Sequence, residues 1–244
     1  MSAARIPWYR RWLPGLSRNS AKAPGKDRVN EEIAALMTPL SHDLRSAPGT
    51  ILSLCEAGPA WEEAKWRDEV ARQARRGLDS ADRMLALLRL SLPDSLEKVP
   101  LALVALLDEA LDDMSERTGR RVDMQTSGEE VLEVTGDFVL LRHVFTELLA
   151  LAAGTAADDS AISLSCRPAQ DSALCCILVP GADPGDRGFR EWFSQGQYST
   201  ASAAVPLALA ALILRHHGGD LQVLESAGDA LELRARLPLA ASRG

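Results

Sequence analysis

The sequence predicts an α+β protein: a long antiparallel helical hairpin, doubled into a four-helix bundle by dimerisation, followed by a two-layer α/β sandwich. Three observations predict it. Ile33, Met37, Leu40, Leu44, Ala47, Ile51 and Leu54 follow one another at alternating steps of 4 and 3, a heptad seam. A second amphipathic run returns after the turn signal Gly58-Pro59. Beyond Pro93-Asp94-Ser95, helical and strand periods alternate.

Residues 1–28 read as a basic, flexible tail. They carry Arg5, Arg10, Arg11, Arg18, Lys22 and Lys26, and Pro7, Pro14 and Pro24 break any long helix. Its Trp8, Tyr9 and Trp12 among arginines suit a peripheral membrane contact or a partner surface. Residues 29–92 read as the dimerisation hairpin. Its first helix starts at Val29, and Pro39 and Pro48 inside it each remove a donor and can kink it. The second helix runs from about Trp61 to Leu90, with Val70, Ala74, Gly77, Ala81, Leu85 and Leu88 on one face and Arg72, Arg75 and Arg76 off it. One hairpin buries too little by itself, so a homodimer is expected.

Residues 97–240 read as the sandwich. Helices are expected at Pro100–Glu116, Asp137–Ala153 and Pro206–His217, the last stopped by Gly218-Gly219. Strands are expected at Val122–Gln125, Val131–Val134, Ile162–Cys166, Ala173–Val179, Asp220–Glu225 and Ala230–Leu237.

The net charge of −7 argues against nucleic acid as a partner. Cys55, Cys166, Cys175 and Cys176 form no C-x-x-C pair and read as buried free thiols of a reducing compartment. No stretch is expected to span a bilayer, and Arg10 and Arg11 interrupt any signal-peptide core. A cytoplasmic location is the expectation.

The chemistry centres on Ser41-His42-Asp43-Leu44-Arg45-Ser46. His42 falls between seam positions Leu40 and Leu44, so it points to water on a helix of 3.6 residues per turn. An exposed imidazole is a usable nucleophile near neutral pH. The adjacent Asp43 carboxylate can hold the Nδ1 proton and leave Nε2 free to attack phosphorus. Arg45, one turn on, can meet phosphate oxygens.

This box, with its proline and apolar run, resembles the phosphoacceptor box of bacterial two-component sensor histidine kinases. The helical return Gln73-Ala74-Arg75-Arg76 through Ala81-Asp82-Arg83-Met84-Leu85 is similar to that family too. The resemblance covers residues 29–240 in the family's order. Pro48 stands one position later than in most members, which moves the expected kink. The resemblance implies a sandwich of the histidine-kinase ATPase type, His42 as phosphoacceptor and Asp43 as general base. It also implies a role for Ser46 in positioning water for dephosphorylation of a regulator, although members usually carry Thr or Asn there.

The landmarks that the resemblance implies for ATP are damaged. Gly136-Asp137 and Leu140-Leu141-Arg142 look like the start of the magnesium-site helix, which continues Glu147-Leu148-Leu149-Ala150-Leu151. Leu151 replaces the family's metal-binding Asn, and Mg²⁺ requires oxygen ligands. Gly154 replaces a usual Lys. Glu147 could still offer a carboxylate. The first glycine loop resembles its counterpart in one of two registers. A shifted one uses Asp183, Gly185 and Gly188, with Asp183 on the adenine amino group; a strict one puts Pro180, Ala182 and Pro184 at the key places. The family's second loop, Gly-Leu-Gly-Leu, is Ala204-Val205-Pro206-Leu207 here, with fewer backbone donors for phosphate. Arg215-His216-His217-Gly218-Gly219 matches the family as a structural turn, with both histidines capping the helix C-terminus.

Three functions fit. The first is phosphotransfer or pseudokinase action on a response-regulator receiver domain through His42, with no resident cofactor. The second is an active ATP-dependent kinase, which needs ATP and magnesium in the degenerate site. The third is a non-catalytic dimerising adaptor of a partner kinase.

Overall fold

The computed structural model describes residues 26–58, 63–92, 96–126, 132–156, 160–181, 204–226 and 230–240. They form two compact units, one of Gly25–Ser95 and one that begins at Leu96. The linker residues 93–95 and nearly all of the tail lie outside the described residues.

The first unit is a hairpin of α1 (Lys26–Ala57) and α2 (Glu63–Ser91). Helix α1 passes uninterrupted through Pro39 and Pro48 and stops at Gly58, which takes the left-handed φ of 66°. The indole of Trp66 donates to the Leu54 carbonyl at 3.1 Å and ties the two helices near their turn. The heptad seam divides into two edges. Ile33, Leu40 and Ala47 are buried, whereas Met37, Leu44 and Ile51 remain partly open.

The expected stripe on α2 needs correction. Gln73, Ser80 and Leu87, again at heptad steps, are buried, together with Ala86 and Leu90. Leu85 and Leu88 stand 63% and 45% exposed, beside exposed Leu78 and Leu92. Helix α2 is apolar on two sides, and periodicity alone does not choose between them. Polar residues hid the buried side. Gln73 satisfies itself on Glu69 at 2.8 Å, and Ser80 on the Arg76 carbonyl at 2.9 Å. Gly77 does face α1, since a Cβ there would lie 3.6 Å from the Ala47 Cβ.

The second unit comprises β1 (Val99–Ala102), α3 (Leu103–Thr118), β2 (Val122–Thr126), β3 (Glu133–Gly136), α4 (Phe138–Thr155), β4 (Ile162–Ala169), β5 (Ser172–Val179), α5 (Ala204–His216), β6 (Asp220–Ser226) and β7 (Ala230–Pro238). Five strands form one sheet in the order β2-β4-β5-β7-β6. Among the described strands of this sheet, β2 and β4 pair in parallel and the other neighbours antiparallel. Strands β1 and β3 make a separate antiparallel ribbon. Pro100 therefore lies in a strand, not at a helix start, because Val99–Ala102 spends its backbone on β3 and the helix begins only at Leu103.

Helix α4 packs against α3, α5 and β5 and is the centre of the core. Leu141, Val144, Phe145 and Leu149 on it are fully buried. It is also long and apolar enough to cross a membrane by length and composition, which corrects the expectation that no stretch is. Two of its charged groups, Arg142 and Glu147, are paired within the unit. Arg142 forms a bidentate pair with Asp113, both bonds 2.7 Å, and this pairing raises the guanidinium's pKa further. Arg120 caps its C-terminal carbonyls Ala153 and Ala156.

Candidate functional site

His42 lies mid-way along α1 with its side chain 71% exposed, off the buried edge defined by Leu40 and Ala47. Its Nδ1 stands 3.5 Å from Oδ1 of Asp43. That is the outer limit of a hydrogen bond, close enough for the carboxylate to orient the ring and offset a developing positive charge. Ser46 Oγ donates to the Asp43 carbonyl at 3.2 Å, so its hydroxyl is turned back onto the helix. Arg45 is exposed. His42, Arg45 and Ser46 line one open recess with Met37, Thr38 and Ser41. A nucleophile, a cation and a hydroxyl therefore share one solvent-facing helix flank. Met37 and Thr38 were not anticipated at this site. Met37 belongs to the heptad seam, yet at 37% exposure it also borders the recess.

The expected nucleotide residues lie in the second unit. Glu147 is only 4% exposed and pairs with Arg117 Nη1 at 3.2 Å. Its carboxylate is thus committed at least in part to a cation of the chain itself. Arg117, on α3, could not be found by motif, because its meeting with Glu147 is tertiary. Leu151 is half-buried and brings no oxygen. Asp183, Gly185 and Gly188, like the whole stretch 182–203, lie outside the described residues. At the start of α5, Val205, Pro206 and Leu207 are buried, and Pro206 removes one of the four amides that a helix start normally leaves free.

Between these elements sits a polar junction. Asp137 caps α4 by accepting from the Leu140 amide at 3.1 Å, and its other oxygen accepts from the Glu97 amide at 3.2 Å. The Asp137 amide donates to Nε2 of His217 at 3.0 Å, and the ring's Nδ1 lies 2.7 Å from the Ile213 carbonyl. One nitrogen must accept and the other donate, which fixes the neutral Nδ1–H tautomer. Burial pushes the His217 pKa down, opposed by the bond to Ile213. The histidine expected as a simple helix cap therefore also joins α5 to the start of α4. His216 offers its carbonyl to Lys98 at 2.5 Å. Among the described residues no cluster of His, Cys, Asp and Glu is arranged to hold a metal.

No family model and no curated protein matches the sequence. Solved structures do. The histidine kinase ThkA, in complex with the response regulator protein TrrA, matches with a TM-score of 0.63 at 12% identity, over 90% of this chain and 65% of that one. The chain has the histidine kinase fold. The histidine kinase AdeS of Acinetobacter baumannii shares that fold with a TM-score of 0.55 at 13% identity, over 82% of this chain and 98% of AdeS. Full-length ShkA in complex with AMPPNP matches with a TM-score of 0.55 at 16% identity, over 91% of this chain but only 47% of ShkA. The expected architecture, a helical hairpin followed by the kinase-type α/β sandwich, is thus borne out.

Proposed function

We propose that this chain is a two-component signalling protein in which His42 accepts and passes on phosphate as a relay, its partner being the receiver domain of a response regulator. The observation that carries the proposal is the recess around His42: an exposed imidazole 71% open to solvent, with Asp43 at its Nδ1 and Arg45 on the same flank. Nε2 attacks the phosphoryl group held on a receiver carboxylate. Asp43 offsets the imidazolium charge, and Arg45 meets the phosphoryl oxygens. The structure of ThkA with a response regulator supports a partner of this class. Homodimerisation is supported by Leu78, Leu85 and Leu92, an exposed heptad row that a second hairpin would cover. The basic tail, near an anionic surface, would add a peripheral membrane contact to a protein that works in the cytoplasm.

The donor is a phosphorylated receiver and not ATP bound to the same chain. Leu151 cannot ligate magnesium, Glu147 is paired with Arg117, and Pro206 takes an amide from the α5 start. The second reading, an ATP-dependent kinase, is favoured by one observation, the likeness to ShkA, whose structure holds AMPPNP. Two labelling reactions decide between them. Incubation with a phosphorylated receiver should label wild-type protein and not His42→Ala. Incubation with labelled ATP and magnesium should give no label. Robust labelling by ATP would overturn the relay reading, and His42-independent labelling would overturn the site.

A further inference from the structure

Two thiols meet in the core of the sheet. Cys166 on β4 and Cys175 on β5 are direct cross-strand partners, and their sulfurs lie 3.4 Å apart. Both are free and essentially inaccessible, at 0% and 1% exposure. The register identifies the kind of site. Strands β4 and β5 join through the two-residue turn Gln170-Asp171, so Ala169 and Ser172 flank it as a hydrogen-bonded pair. Pair types alternate from there, which makes Cys166–Cys175 a non-hydrogen-bonded pair. At such positions Cα atoms approach to about 4.5 Å, within the range that a disulfide spans. Pro168 agrees with this alternation, because its missing amide would have pointed away from β5.

We infer that Cys166 and Cys175 form a redox-modifiable dithiol that closes to a cross-strand disulfide without rearranging the sheet. The oxidant is a low-molecular-weight disulfide such as glutathione disulfide. In a transient local opening of the unit, one thiolate attacks it, releasing one reduced glutathione and forming a mixed disulfide. The second thiolate attacks the protein sulfur, forming the Cys166–Cys175 bond and releasing the second glutathione. Two protons leave with the two thiols and reappear on the two glutathiones, so atoms and electrons balance. Cys176 takes no part. It follows Cys175 in the strand, points to the opposite face, and pairs across to Arg234 on β7.

The test uses the full chain carrying Cys55→Ser and Cys176→Ser, equilibrated in glutathione redox buffers both folded and in urea. If the native pair is preorganised, the folded chain oxidises at a glutathione ratio at least about tenfold more reducing than the unfolded chain, a shift of about 30 mV. Linkage then requires the oxidised protein to melt several degrees above the reduced one, and peptide mapping should join β4 to β5. Equal or easier oxidation of the unfolded chain, or a lower melting temperature when oxidised, would overturn the inference. If the double variant does not fold, the wild-type chain serves, with exposed Cys55 alkylated beforehand. A mapped Cys166–Cys175 bond with retained circular dichroism supports the inference, and its absence after equilibration under conditions that oxidise the unfolded chain sinks it.

Discussion

Replacing His217 with Ala should cost the sandwich about 3 kcal/mol at pH 8, and this cost should shrink as the pH falls. The ring is 4% exposed and bridges the Asp137 amide to the Ile213 carbonyl. Truncation leaves a buried N–H without its acceptor, a penalty of about 1–3 kcal/mol, and opens a void the size of an imidazole, which adds about 1–2 kcal/mol. The pH dependence follows from the lowered pKa, which comes first from burial, is opposed by the bond to Ile213, and is then adjusted by Lys98 and Asp137. Protonation would put a hydrogen on Nε2 against the Asp137 amide. The unfolded chain therefore binds the proton at a higher pH than the folded chain does. Stability from His217 is fully present above about pH 6.5 and is lost as the pH falls toward the lower folded value, at up to about 1.4 kcal/mol per pH unit. The assay is urea unfolding of wild type and His217→Ala from pH 8 to pH 5, followed by far-ultraviolet circular dichroism. Taking the difference cancels the other three histidines. A wild-type margin that stays flat or grows on acidification would falsify the tautomer assignment.

Gly49 has open space around its missing Cβ and an ordinary helical φ, so Gly49→Ala should stabilise the hairpin by about 1 kcal/mol in thermal melts. A Cβ on Gly219 would lie 2.0 Å from the Arg236 carbonyl oxygen, so Gly219→Ala should cost about 3 kcal/mol or more and lower the urea midpoint sharply. Leu78→Glu with Leu85→Glu puts two charges on the exposed row of α2 and should convert a dimer into a monomer by light scattering, since each unpaired charge buried costs several kcal/mol. An unchanged mass would show that the row is not the dimer face.

Much of this fold was legible, and the failures share a cause. Leu40 and Ala47 could be read as a buried edge because a heptad is a local pattern. The exposure of His42 followed from the same pattern. The buried side of α2 could not be read, because Gln73 and Ser80 belong to it and meet their hydrogen-bonding needs within their own helix. Strand β1 was missed because Pro100 suits a helix start locally, while its pairing with β3 joins residues more than thirty positions apart. The thiols divided for a similar reason. Alternation puts Cys166 and Cys175 inside, but Cys176 is half-buried and Cys55 exposed, against the expectation of four buried thiols. Arg117 beside Glu147 needs the packing of α3 on α4, which no local pattern encodes.

The two prolines of α1 have a mechanical consequence. Each deletes one rung of the helix's hydrogen-bond ladder, so the carbonyls of Ala35 and Leu44 meet no amide four residues on. His42 lies between those missing rungs, three residues after Pro39 and six before Pro48. Bending stiffness is lowest where rungs are absent. Bending of α1 is therefore easiest around the segment that presents the imidazole.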